Sequence, residues 1–197
     1  MGSGENNVNL PPGFRFSPSD EELVVHFLQR KASLLPCHPN IIPDLDLYPY
    51  DPWDLDGKAM EEGSKWYFYS RRTQTRITRS GVWKSIGEDE PILSSESGSS
   101  KRKVIGIKKY YVFYIGEPNS EGIKTNWILQ EYSLSDQCGS SSSARRKSKN
   151  DHSKWVVCRV YEHKSYGGED DGEQELSCLD ELFLSLDDDY DEICSSN

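Results

Sequence analysis

Apolar positions early in the chain recur at helical spacing. Leu23, Val24, Phe27, Leu28 and Ala32 follow Ser17-Pro18-Ser19-Asp20-Glu21-Glu22, in which Ser19 and Glu22 stand at capping-box spacing. The pattern predicts a helix over about 20–33 that buries one face, and His26 within it reads as a satisfied or solvent-facing side chain. Prolines at 36, 39, 43, 49 and 52 then exclude a long helix or a central strand and predict an extended loop. Asp51-Pro52-Trp53-Asp54-Leu55 reads as the start of a short second helix with proline in its first turn.

From Lys65 the period shortens. Segments 65–70, 81–85, 104–115, 126–134 and 155–161 are rich in β-branched and aromatic residues, and each reads as a strand. The separators 87–91, 94–100, 116–122 and 139–143 are turn or flexible sequences without a helical crossover, so the sheet is expected to be mainly antiparallel. The fold class is α+β: a twisted antiparallel sheet with an N-terminal helix and a short second helix. The basic, serine-rich run 139–150 offers only Ala144 to bury and reads as a disordered loop.

Composition adds three constraints. A length of 197 residues suits one folded domain of roughly 150 residues plus tails, and a mean hydropathy of −0.75 indicates abundant polar surface. No run of 18 uncharged apolar residues and no basic-then-apolar leader occurs, so neither a membrane span nor a signal peptide is expected. The five cysteines (37, 138, 158, 178 and 194) are scattered and never spaced as CxxC, which favours a reducing, intracellular setting.

Charge location says more than the net −10. Residues 1–64 carry −7, 65–124 carry +6, 125–164 carry +3 and 165–197 carry −12. A basic middle inside an acidic chain is a candidate polyanion footprint. Its strands interleave cations with aromatics: Arg71, Arg72, Arg76 and Arg79 beside Trp83-Lys84, then Lys101-Arg102-Lys103 and Lys108-Lys109. A strand edge of this kind fits the DNA major groove, with Lys and Arg on phosphates; a plain sheet with a cationic outer face fits the same pattern. No GxSxG, P-loop, GxGxxG or HExxH motif occurs and the four histidines are dispersed, so no enzyme, metal or cofactor is expected.

Seven ordered blocks decide between the two readings. LPPGFRFSPSDEEL (10–23), DLYPYDPW (46–53), WYFYS (66–70), SGVWKSIGED (80–89), GIKKYYVFYIG (106–116), TNWILQEYSL (125–134) and WVVCRVY (155–161) together resemble the NAC domain of plant transcription factors. Segments LLPCHPNIIPDLDLYPYDPWDL (34–55) and ELSCLDELFLSLDD (175–188) narrow the likeness to a xylem-associated branch of that family. The resemblance implies a flexible N-terminus (1–9), a DNA-binding and dimerisation domain (10–163) and an acidic regulatory tail (164–197). It implies a nuclear, sequence-specific regulator of transcription, negative in sign and concerned with xylem differentiation. The expected partners are double-stranded DNA and a second NAC chain, in a homodimer or heterodimer.

Residue by residue, Arg15 and Glu22 match the ion pair that links family dimers, and Leu10, Pro11, Pro12 and Phe14 match the intersubunit strand. An exposed pair contributes only about 1 kcal/mol, so apolar burial must supply most of that affinity. Trp83, Lys84, Ser85, Ile86 and Gly87 match the groove-entering strand, although Trp83 reads equally as a core aromatic; Arg72 and Arg76 match backbone-contacting arginines, and Lys108 and Lys109 join the basic set. Glu88 and Glu90 stand where lysines are common, and Glu117 and Glu121 lie in a loop where relatives place basic residues. Each lost cation removes a counterion-release term, so weak DNA binding is expected. A second reading follows: a non-enzymatic interaction protein that sequesters other NAC chains in weakly DNA-binding heterodimers.

Two docking motifs compete in the tail with a plain acidic, amphipathic segment. Leu176, Cys178 and Asp180 resemble LxCxE, the retinoblastoma-pocket ligand, with Asp in place of the final Glu. Leu182, Leu184 and Leu186 resemble the LxLxL corepressor ladder.

Overall fold

The computed structural model describes residues 13, 15–46, 48–95, 102–135 and 154–164. Every described helix and strand belongs to the unit Met1–Glu162; of the unit His163–Asn197 only His163 and Lys164 are described. Four sequence expectations therefore fall outside the described residues: Leu10, Pro11, Pro12 and Phe14 of the intersubunit strand, the 1–9 terminus, the 139–150 loop, and Leu176, Cys178, Asp180, Leu182, Leu184 and Leu186 of the tail.

The N-terminal helix forms at the expected place in three segments. It is α-helical over Asp20–Glu22 (α1), π-helical over Leu23–Leu28 and α-helical again over Gln29–Ala32 (α2). Ser19 caps it: the Glu22 N–H donates to Ser19 Oγ at 3.2 Å and the Ser19 N–H to Glu22 Oε2 at 2.8 Å. Leu23, Val24, Leu28 and Ala32 are buried while His26 is exposed, as the apolar spacing predicts. Pro52–Leu55 forms a single 3-10 turn, with Asp51 and Asp54 capping each other.

Six strands make one antiparallel sheet in the order β1-β2-β6-β5-β4-β3: β1 Met60–Glu62, β2 Lys65–Arg71, β3 Gly81–Leu93, β4 Val104–Ile115, β5 Ile123–Leu134 and β6 Trp155–Glu162. Two differences from the sequence reading have physical causes. Strand β1 goes unsignalled by apolar pattern, and it is held by a two-residue hairpin at Gly63-Ser64, where Gly63 takes φ +62. Residues 87–91, expected as a turn, lie inside β3 as a bulge between Ile86 and Glu90. Gly87 at φ +64 supplies the left-handed residue, and Pro91 is tolerated because β3 is the outermost strand.

Both faces of the sheet are covered. On one, Leu23, Val24 and Leu28 pack with Phe16 over Tyr67, Tyr69, Tyr132 and Val157. On the other, Leu55 of the 3-10 turn packs with Phe68, Trp83, Phe113, Leu129 and Cys158. Full burial of each aliphatic side chain is worth about 1.5–3 kcal/mol. The helix sits so close that a Cβ on Gly106 would lie 2.9 Å from a Val24 methyl and 2.9 Å from the Ser133 carbonyl, so only glycine fits there.

A carboxylate orients the helix. Asp20 accepts from Lys108 Nζ of β4 at 2.8 Å, Tyr132 Oη of β5 at 2.7 Å and Arg159 of β6 at 3.3 Å. Partial burial alone would raise its pKa, but these hydrogen bonds and the two cations hold it below the ordinary carboxylate value of 3.8. The folded state therefore binds fewer protons here than the unfolded chain. The resulting stability is present above the ordinary carboxylate range and disappears as pH falls through the lowered folded value. In urea titrations between pH 2 and 7, Asp20→Asn should lower the midpoint most at neutral pH and progressively less in acid.

Candidate nucleic-acid interface

Strand β3 is one of the two edges of the sheet, β1 being the other, and the described residues partly cover it. The connection from β2 crosses the second face and lays Arg76–Thr78 along the start of β3, with the Trp83 N–H donating to the Arg76 carbonyl at 2.9 Å and the Thr78 N–H to the Gly81 carbonyl at 2.8 Å. Asp51 pins the end of this connection. It accepts from Thr78 Oγ1 at 2.6 Å and from Ser80 through both Oγ at 2.6 Å and N–H at 3.0 Å. Among the described residues, the uncovered part of the edge begins at Lys84.

Along that edge, register fixes which side each residue takes. Lys84 and Ile86 pair with Val112 and Tyr110 on the helix face, while Trp83 and Ser85 pair with Phe113 and Tyr111 on the other. Lys84 Nζ donates to the Glu121 carbonyl at 2.8 Å and lies 4.4 Å from the Tyr114 ring centre, so the 116–122 loop holds it at the rim. Ser85 and Gly87 are exposed. Ile86 is buried, and so is Trp83 at 2% exposure, 5.1 Å from Phe113 between ring centres.

The other cations expected to contact DNA, Arg72, Arg76, Lys108 and Lys109, are dispersed. Arg76 lies under the connection, donating to both carboxylate oxygens of Glu131 at 3.1 and 3.2 Å and stacking 4.4 Å above Tyr111. Lys108, only 12% exposed, is shared between Asp20 and Glu90 at 2.8 and 2.7 Å. Lys109 pairs with Asp89 at 2.8 Å on the opposite face. Arg72 is exposed, but its N–H bonds the Lys154 carbonyl beyond the end of β2, four strands away from β3. The structure thus brings Lys84, Ser85 and Gly87 together at an open edge, places Arg76, Lys108 and Lys109 in internal ion pairs, and sets Arg72 apart. Arg15 and Glu22 are both exposed, Glu22 in the capping box.

Three carboxylates escaped the sequence reading: Asp20, Asp51 and Glu131, which set the helix, the connection and Arg76. Asp51 carried a visible signal, since an acid before proline opens a helical turn. Glu131 carried none, because its partner lies 55 residues away.

The family model described as "No apical meristem (NAM) protein" matches residues 11–134, a span that contains the whole of β3 and the connection before it. The chain belongs to the NAC family. NAC domain-containing protein 104 of Arabidopsis thaliana is 61% identical over 189 residues, covering 92% of this chain and 96% of that relative. NAC domain-containing protein 18 of Arabidopsis thaliana is 44% identical, covering 78% of this chain and 50% of its own length. NAC transcription factor NAM-A1 of Triticum turgidum is 41% identical, covering 88% and 47%. This NAC chain therefore spans nearly all of the first relative and about half of the other two.

Among its basic residues, Arg76 and Lys84 should separate cleanly in stability. Arg76→Gln leaves the Glu131 carboxylate, 2% exposed, without its cation and should cost about 3–5 kcal/mol in urea denaturation. Lys84→Ala, at the rim, should cost less than about 1 kcal/mol.

Proposed function

We propose that this NAC protein is a nuclear regulator of transcription that binds double-stranded DNA sequence-specifically as a dimer and acts negatively, in xylem differentiation. The observation that carries the reading is the open edge of β3 within the family-matched segment, where Lys84 and Ser85 stand on opposite faces of one strand. A single strand presenting a cation and a hydroxyl at its edge suits a major groove, the cation neutralising phosphate and the hydroxyl reaching a base edge. The names of relatives such as NAM-A1 support a role in transcription. Arg145-Arg146-Lys147 and Lys149 serve nuclear import in this reading, and the tail recruits a retinoblastoma-type protein or a corepressor. Pull-down with tail peptides separates the last two: Cys178→Ala should abolish the first partner and Leu184→Ala the second.

Binding-site selection on randomised duplexes, at stated ionic strength, tests the DNA reading. Enrichment of one core sequence is expected; recovery of unselected sequence would sink it. Lys84→Ala should weaken binding about uniformly across sequences and reduce the slope of log K against log salt by about 1.

A second reading, sequestration of other NAC chains in poorly binding heterodimers, is favoured by the acids around the same edge. Glu88 and Asp89 lie in the bulge of β3 and Glu90 closes it, and Glu117 and Glu121 are exposed in the loop that holds Lys84. Replacing Glu88, Glu90, Glu117 and Glu121 with lysine should raise DNA affinity and steepen the salt slope. The Glu90 change has a further effect, since Glu90 also engages Lys108 and Tyr110. Arg15→Glu should erase the biological effect of a sequestering protein while leaving its DNA contacts in place.

A further inference from the structure

Lys84 does not hang from the open edge of β3 as a loose surface lysine does. Two backbone carbonyls take its ammonium, that of Glu121 at 2.8 Å and, more loosely, that of Ser120 at 3.4 Å, and the Tyr114 ring centre lies 4.4 Å away. An ammonium has three N–H groups, so one is left for a further acceptor. Ring and carbonyls hold the lysine without neutralising it, whereas Lys108 and Lys109 of β4 are matched to carboxylates.

Each part of this seat has its own support. Tyr114 lies two residues along β4 from Val112, the register partner of Lys84, so ring and lysine are diagonal neighbours on one face of the β3–β4 pair. The 116–122 loop then turns back and brings its carbonyls over the lysine. The Gly116 N–H donates to the Ser80 carbonyl at 2.9 Å, which ties the loop to the start of β3. Within the loop, the Ser120 N–H and Oγ both donate to the Glu117 carbonyl, at 3.0 and 2.8 Å. Gly122 takes φ +68, and a Cβ there would lie 3.0 Å from the Ile115 carbonyl, so the return into β5 is built on glycine.

Lysine is among the side chains with the most rotamer freedom to lose, and losing it weakens every phosphate contact such a residue makes. Here folding restricts the side chain before any duplex arrives. We propose that Tyr114, together with the Ser120 and Glu121 carbonyls, is a positioning element that holds the Lys84 ammonium ready for a DNA phosphate, so that one cation suffices at an edge bordered by Glu88, Asp89 and Glu90. The inference rests on the DNA reading above. The opposite sign, in which the carbonyls compete with phosphate and mask the lysine, requires that removing the ring tighten binding.

The test uses the full chain and a duplex carrying the core sequence recovered by site selection, at fixed ionic strength. Tyr114→Leu should weaken binding about fivefold, and Tyr114→Phe, which keeps the ring, should restore it. In chains that already carry Lys84→Ala, Tyr114→Leu should have no further effect, because Tyr114 acts through Lys84. In proton NMR of the DNA-free chain, the Lys84 ε-methylene should resonate upfield of an unstacked lysine's with Tyr or Phe at position 114, and should lose that ring-current shift with Leu. Unchanged or tighter binding by Tyr114→Leu, or an equal loss with and without Lys84, overturns the proposal and leaves the DNA reading standing. So does an ε-methylene without the ring-current shift in the native chain. A native chain that ignores every duplex defeats the DNA reading, and this inference with it.

Discussion

The Asp20 carboxylate is the tie on which the arrangement of this domain depends. It sits in the first turn of the helix and gathers a lysine, a tyrosine and an arginine from three consecutive strands of the sheet. Apolar burial of Leu23, Val24 and Leu28 supplies most of the energy holding the helix down, but burial has no direction. The charged hydrogen bonds specify where along the sheet the helix sits, and the close approach of Val24 to Gly106 leaves little tolerance for any other position.

The same network shapes the surface that faces outward. Lys108 is drawn inward because Asp20 and Glu90 both claim it, and Arg76 because Glu131 lies beneath it. Two cations of the basic middle are thus drawn inward, while Arg71, Arg72, Arg79, Arg102 and Lys103 stay exposed. The open edge of β3 is left with Lys84 and a hydroxyl, beside acids at 88, 89 and 90.

Much of this was legible beforehand. Apolar spacing located the helix and its cap, and β-branched and aromatic runs located five of six strands, because both signals are local in the chain. Strand β1 was missed because Met60-Glu61-Glu62 has no apolar alternation and is held only by its hairpin. The bulge in β3 carries the sequence signal of a turn because Gly87 and Pro91 punctuate turns as well as edges. At the site, proximity in sequence exposed Lys84 and Ser85. The burial of Arg76 and Lys108 depends on Glu131 and Asp20, partners 55 and 88 residues away, which no window along the chain could reveal.

The bulged, proline-bearing outer strand has one more effect. An uncovered strand is a template on which another copy could zip, and this one offers a kink at Gly87, three acids and, at Pro91, a backbone nitrogen with nothing to donate. Even at high local concentration, copies of this chain would thus not zip edge to edge along β3 into a continuous fibre.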